Sequence, residues 1–253
     1  VRTTEISSQA YLALISEAVA AVGREQEEAV QRAADLITAS LDSGGVVQAF
    51  GCGHSEALAM EIAGRAGGLV PTNRIALRDI VLYGGLPREV LEDPMLERDP
   101  TVAHRLYELT AIKPADVFVV ASNSGINGVV VEFALLVKEH GHQLIAITST
   151  EHSARSTPRH PSGKRLSEIA DIVLDNGAPY GDAAIGLPDG GAVGAVSSVT
   201  AAVLAQMIVT EVVRRQLAAG QTPPIYLSAN VDGGHEHNQV WEQRYAGRIR
   251  RTA

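Results

Sequence analysis

Val117-Phe118-Val119-Val120-Ala121-Ser122-Asn123-Ser124-Gly125-Ile126-Asn127-Gly128 is the stretch on which the fold turns. Its first five residues are apolar without interruption and rich in β-branched and aromatic types, which reads as a strand buried on both faces. Ser-Asn-Ser-Gly is a turn, and residues 127–140 carry the spacing of a helix. Leu144-Ile145-Ala146-Ile147-Thr148 is then a second buried strand. Strand, turn, helix and strand in that order form a βαβ unit with parallel strands.

The same grammar extends in both directions. Upstream, the apolar run Val46-Val47-Gln48-Ala49-Phe50 stops at Gly51-Cys52-Gly53, a helix follows over about 55–65, and Gly67-Gly68 ends it. Residues 69–77 read as another strand. Residues 5–42 are helical, with one apolar stripe on Leu12, Ile15, Val19 and Val22 and a second on Val30, Ala33, Ile37 and Leu41. Gly23 is the expected break between two helices, and Ser43-Gly44-Gly45 ends the second. Residues 83–100, rich in Gly, Pro and acids, read as a long surface loop or lid, and 101–111 as a helix. After a polar loop at 150–163, Asp171-Ile172-Val173-Leu174 supplies a last strand. A long helix over 194–219 has Val196, Val199, Val203, Met207 and Val212 as its expected buried face. The prediction is an α/β protein with a doubly wound parallel sheet covered by helices on both faces. Its ligand belongs at the carboxyl ends of the strands, where strand order reverses. No repeat or low-complexity linker divides the chain, so residues 1–253 read as one domain.

Composition narrows the function. The 253 residues are 45% hydrophobic and 20% charged, a globular balance, and only 4% aromatic, so small aliphatic residues must fill the core. A net charge of −8 excludes a nucleic-acid binder that works through a basic surface. A small anion must therefore be held by local devices such as helix N-termini. The single cysteine, Cys52, excludes an intrachain disulfide and fits a reducing compartment. The most apolar segment, 195–213, is interrupted by Gln206 and Glu211, so no membrane span is expected and the protein reads as soluble and cytoplasmic.

Two turns carry the candidate chemistry. In Ser122-Asn123-Ser124-Gly125-Ile126-Asn127, hydroxyls, a flexible glycine and a helix start converge on one strand end, as a phosphate requires. A plain N-cap explains one such residue, and this turn offers four. In Gly51-Cys52-Gly53-His54-Ser55-Glu56, a dinucleotide fingerprint would need glycine where Glu56 stands, and no P-loop pattern occurs. Gly53, Ser55 and the local backbone are the expected substrate contacts there. Glu61 reads two ways, as an exposed ion pair with Arg65 at i+4 or as a partly buried general base. Thr148 and Ser149 follow a strand end and offer further hydroxyls, or simply caps. His235-Glu236-His237 is too small a set to define a metal site, so neither a metal nor another cofactor is expected. Cys52 reads as a small buried residue.

Phe50-Gly51-Cys52-Gly53-His54-Ser55 and Ala121-Ser122-Asn123-Ser124-Gly125 together resemble the SIS (sugar isomerase) domain family over roughly residues 30–218. The Gly-His-Ser turn, Arg65-Ala66-Gly67-Gly68 and Asn230-Val231-Asp232-Gly233-Gly234 are similar to bacterial SIS proteins of phosphorylated amino-sugar metabolism. That resemblance implies a five-stranded sheet of flavodoxin-like order with N-terminal helices added. It implies phosphate binding by Ser122 and Ser124. It also implies a dimer or tetramer with sites near subunit interfaces, the tail 220–253 packing on the core or on a neighbour. Glu61-Ile62-Ala63-Gly64-Arg65 is similar to the segment in which sedoheptulose-7-phosphate isomerases carry a catalytic glutamate. The histidine those enzymes place on their last core helix is absent here, which leaves His54, His235 and His237 as candidate partner acids.

The implied chemistry starts with removal of the C2 proton of an open-chain aldose phosphate by Glu61. A free hydroxyl or amine at C2 then leads to a ketose. An N-acetyl group blocks that route and makes loss of the C3 hydroxyl the natural exit. The expectation is a dehydratase acting on N-acetylglucosamine 6-phosphate, with an aldose–ketose isomerase and a non-catalytic sugar-phosphate sensor as alternatives.

Overall fold

A computed structural model describes residues 6–251. Five strands, β1 (Val47–Gly51), β2 (Thr72–Ile75), β3 (Val117–Ala121), β4 (Gln143–Thr148) and β5 (Ile172–Asp175), form one sheet in the order β2-β1-β3-β4-β5. Every pairing in it is parallel. The helices are α1 (Ser8–Glu25), α2 (Glu27–Asp42), α3 (Glu56–Ile62), α4 (Asp79–Leu82), α5 (Thr101–Glu108), α6 (Gly128–Glu139), α7 (Thr150–Arg155), α8 (Ser197–Ala218) and α9 (Gly234–Arg244). The expected doubly wound α/β sheet is thus present, with its strand order reversing between β1 and β3.

Alternation along the strands sorts the core into two layers, because successive side chains point to opposite faces. Val117, Val119 and Ala121 join Ile145 and Ile147 in a layer covered by α2, α3 and α8. Phe118 and Val120 join Leu144, Ala146 and Phe50 in a layer covered by α5 and α6. All three phenylalanines of the chain meet in this second layer, Phe50 and Phe133 with ring centroids 4.6 Å apart. The scarce aromatic volume is concentrated on one side, while the other is packed by Val, Ile, Leu and Ala.

Several boundaries differ from the sequence reading. The first helical break falls at Gln26 (φ −102°, ψ 6°), and Gly23 lies inside α1. A glycine within a helix costs only about 1 kcal/mol, so packing decides: α2 lies against the sheet, whereas α1 lies on α8 and places its own Ile15 in a small cluster with Ala178 and Val196. Residue 5, where that helix was expected to begin, lies outside the described residues. The expected strand over 69–77 contracts to Thr72–Ile75, because Leu69 pairs with Ile225 instead. The 83–100 segment contains two short 3-10 helices, Arg88–Glu92 and Leu96–Arg98, and Leu96 anchors it in the core. A hairpin of β6 (Ala183–Gly186) and β7 (Ala192–Ala195) precedes α8, and α9 occupies the tail.

Helix α8 is also turned relative to the expected face. Its buried stripe is Thr200, Ala201, Leu204, Ala205, Ile208, Val209 and Val212, while Val199 is 39% exposed. The helix is apolar on nearly all sides, so periodicity alone could not choose the stripe. By length and composition it is apolar enough to cross a membrane, and its buried side packs on α1, α2 and α3.

A buried polar ladder ties the tail to the amino edge of the sheet. Asp116 accepts hydrogen bonds from Val46 N (2.9 Å), Gln48 Nε2 (2.9 Å) and Arg248 Nη2 (2.6 Å). Gln48 Oε1 accepts from Asn73 Nδ2 at 2.8 Å, and Asn73 Oδ1 accepts from Arg250 N at 3.0 Å. Arg251 donates to the carbonyls of Val70 (2.9 Å) and Thr72 (3.3 Å) along the outer edge of β2. An edge strand left bare invites pairing with other chains, and here the chain's own tail covers it.

Candidate functional site

The carboxyl ends of β1 and β3 diverge at the switch point, and both candidate turns start there. The chain can leave β1 sharply because position 51 lacks a side chain: a Cβ on Gly51 would collide with the carbonyl oxygen of Ser55. At the other turn Gly125 has φ +64°, and a Cβ there would lie 3.3 Å from Thr148 Oγ1. Glycine serves on both counts. Between the turns lies a cavity of about 170 Å³ lined by His54, Ser55, Glu61, Ser122, Asn123, Asn176, Ser197 and Ser198 over a floor of Leu58, Ala121, Ile147 and Ala201.

The expected site residues divide into those that face this cavity and those that do not. His54 stands exposed at its mouth. Ser55 lines it. The Ser122 hydroxyl also lines it while accepting the Gly125 N–H at 3.1 Å, which shapes the turn. Gly53 lies on the first turn, and Ser124, Gly125 and Asn127 continue the second just beyond the lining. Thr148 and Ser149 are fully buried and spent on structure. Thr148 donates to Asn123 O (3.3 Å), whereas Ser149 caps α7 and donates to Ala178 O (2.6 Å). His237 lies on α9, donates from Nε2 to Ile225 O at 3.0 Å, and is not among the lining residues.

Glu61 makes the ion pair of its first sequence reading and also lines the cavity. Its Oε1 pairs with Arg65 one helical turn on and also accepts a hydrogen bond from Gln206 Nε2 of α8 at 2.7 Å. The carboxylate is thereby fixed at the cavity wall, with Oε2 free of hydrogen bonds among the described residues. Glu61 also borders a second, more open groove of about 660 Å³, lined by Val30, Val199, Val203, Met207 and neighbouring residues.

A row of polar side chains closes the far wall. Asn176 donates from Nδ2 to Asn123 Oδ1 (3.1 Å), and Asn123 Nδ2 faces His152 Nδ1 at 3.2 Å. The amide group can only donate at that end, so Nδ1 is the unprotonated acceptor. Burial lowers the His152 pKa below its usual value, which agrees with a neutral ring.

Two long helices point their N-termini at this region, and they differ in what neutralises them. At α8, Asp182 accepts the N–H groups of Ser197 (2.8 Å) and Val196 (3.2 Å) and the Ser197 hydroxyl (2.8 Å). A carboxylate already occupies that positive end. At α6, the N-cap Asn127 makes no side-chain cap; its carbonyl accepts the Val130 and Val131 N–H groups at 3.1 Å, which leaves the N–H groups of Gly128 and Val129 as the uncapped donors among the described residues. The lining contains no Lys or Arg.

Sequence reasoning passed over Asn176, Ser197, Ser198 and Gln206. Asn176 follows a strand's carboxyl end, and that rule could have found it. Nothing local marks Gln206, whose partner lies 145 residues away.

Strand order, paired turns and crevice define a doubly wound α/β architecture with its cleft at the switch point, and a SIS domain model matches residues 10–149. The chain belongs to the SIS-domain family. It is 38% identical over 240 residues to a UPF0309 protein of Geobacillus kaustophilus, the match covering 94% of each chain. Among solved structures it is similar in fold to phosphoheptose isomerase GmhA from Neisseria gonorrhoeae (TM-score 0.53, 18% identity, covering 81% of this chain and 95% of that one). It is likewise similar in fold to the NanR protein of Vibrio vulnificus complexed with ManNAc-6P (TM-score 0.51, 15% identity, covering 94% and 69%).

Proposed function

We propose that the protein is a sugar-phosphate enzyme whose substrate is an N-acetylated amino sugar 6-phosphate, N-acetylglucosamine 6-phosphate in the first instance, and that it eliminates water. The observation that carries this reading is the pairing of Glu61 with the serine turn across one crevice. The phosphate sits on the open N-terminus of α6 beside Ser124, and the sugar chain lies in the cavity with C2 toward Glu61. Glu61 takes the C2 proton, and the hydroxyl of Ser55 together with nearby backbone N–H groups stabilises the resulting enolate at O1. The C2–C3 double bond forms as the C3–OH bond breaks, and His54 at the mouth protonates the leaving hydroxyl as water. No cofactor is consumed or needed.

The same first step on a sugar with a free C2 hydroxyl returns the proton at C1 and yields a ketose. The similarity of residues 61–65 to the sedoheptulose-phosphate isomerase segment favours this second reading, and the two share Glu61. The groove beside Glu61 exposes Val199, Val203 and Met207, and in this reading a second subunit covers it and completes the wall of the site.

Elimination produces an aldehyde conjugated to a C=C bond, which absorbs in the near ultraviolet. Absorbance growing with N-acetylglucosamine 6-phosphate, and not with glucose 6-phosphate, is the expected result. A ketose product without such absorbance assigns the isomerase instead.

A further inference from the structure

The phosphate position just described rests on an uncapped helix end in a protein of net charge −8, and the cavity beside it is lined by Glu61 but by no Lys or Arg. A dianion bound there calls for a nearby positive side chain, and the loop over residues 156–166 brings one. Three hydrogen bonds stitch this loop to the serine turn. Leu166 N donates to Gly125 O at 2.8 Å, Arg159 N to Ile126 O at 3.4 Å, and Arg159 Nη1 to Asn127 Oδ1 at 3.0 Å. Consecutive residues of the turn are thus held by one loop, and the guanidinium stands beside the N-cap of α6.

The loop is braced from outside the site. His160 is 7% exposed at its side chain, and its Nε2 lies 2.8 Å from Glu132 Oε2. Glu132 is on α6 itself, one turn beyond the phosphate end, and its other oxygen meets His104 Nε2 at 2.8 Å. Arg165 pins the start of the loop through Ser153 O (2.9 Å) and Ser156 O (3.0 Å). The residue next to Arg159 is therefore locked, while the Arg159 side chain itself is exposed. Only one of the five guanidinium N–H donors is occupied among the described residues. Behind the turn, the buried Ser153 hydroxyl lies 3.4 Å from where a Gly125 Cβ would stand, so the turn packs closely on α7.

We propose that Arg159 is the cationic ligand of the substrate phosphate, presented by the His160–Glu132 brace. This rests on the phosphate placement proposed above but not on the reaction. A planar guanidinium reaches a phosphate through two parallel hydrogen bonds, and from Asn127 it would close over the dianion on the side opposite the helix N–H groups. The open turn would then bind phosphate monoesters in preference to uncharged sugars.

Calorimetry tests this with inorganic phosphate and with N-acetylglucosamine 6-phosphate, titrated into wild type, Arg159→Ala and Arg159→Lys across a range of salt. Removing a hydrogen bond to a charged group predicts affinity lower by about 10- to 100-fold for both ligands in Arg159→Ala, with partial recovery in Arg159→Lys and a flatter salt dependence in the alanine variant. Unchanged affinity in folded Arg159→Ala overturns the proposal. A loss that leaves the salt dependence at its wild-type slope overturns it too, because that outcome makes Arg159 a brace for Asn127 alone. Phosphate affinity lost in Arg159→Ala while wild type turns over no sugar leaves Arg159 standing and removes the reaction. Absence of any phosphate binding in wild type removes the site and Arg159 together.

Discussion

Glu61→Gln separates the two roles that one carboxylate plays here. The substitution keeps shape and leaves the amide oxygen able to accept from Gln206, so the only folded-state interaction lost is the ion pair with Arg65, whose side chain is 47% exposed. Exposed i,i+4 pairs contribute ~0.3–0.5 kcal/mol, so the urea midpoint should barely move. Removal of a general base costs about 10²- to 10⁴-fold in rate, equivalent to ~2.7–5.4 kcal/mol at 1.36 kcal/mol per tenfold. A stability change under ~0.5 kcal/mol beside a barrier increase several times larger is the signature of a catalytic rather than a structural carboxylate. The assay pairs urea denaturation with turnover of N-acetylglucosamine 6-phosphate, and calorimetry should show the substrate still binding. Turnover within threefold of wild type in a folded variant would refute the role given to Glu61.

Other substitutions probe the walls around it. Gln206→Leu removes the positioning hydrogen bond at 2.7 Å while leaving Glu61 in place, so kcat should fall about tenfold with KM nearly unchanged, and Gln206→Glu should not restore it. Ser124→Ala should weaken phosphate binding by about tenfold by calorimetry, whereas equal affinity would move the phosphate off the serine turn. Arg248→Ala leaves the buried Asp116 without its charged partner, and breaking a buried pair costs about 3–5 kcal/mol, to be read as a lower urea midpoint. Burial holds His142 and His152 below the usual imidazole pKa. The unfolded chain then takes up protons first as pH falls through about 6.5. Stability should be full above that value and decline below it, less steeply in His142→Gln.

The sequence disclosed what depends on local chemistry and not what depends on distant segments meeting. The run from Val117 to Gly128 carried a strand, a turn and a helix start in one reading, because hydrophobic continuity and turn residues are local signals. Glu61 was visible as a candidate but ambiguous, since its spacing to Arg65 describes an ordinary ion pair and its second partner arrives from α8. Helix α8 shows the limit of periodicity: with apolar residues on most of its surface, the stripe chosen by the sheet, Leu204 and Ile208, could not be told from the one left facing the open groove. Helix α9 is polar nearly throughout, and only Gly234 of it is buried, so no apolar stripe announced it. Thr148 and Ser149 looked like ligands because they follow a strand end, yet their hydroxyls already bond to Asn123 and Ala178 carbonyls. The brace of His104, Glu132 and His160 spans three separate elements and left no pattern to read.

Base removal of the C2 proton is the step on which every proposed reaction depends, and proton NMR of N-acetylglucosamine 6-phosphate with the protein in deuterated water observes it. Deuterium should enter at C2 together with a new olefinic signal at C3, both absent in Glu61→Gln. A wild-type spectrum with ligand-induced shifts but no exchange, neither at C2 of this sugar and of glucosamine and glucose 6-phosphates nor at C1 of fructose 6-phosphate, would contradict this and leave a protein that binds sugar phosphates without transforming them.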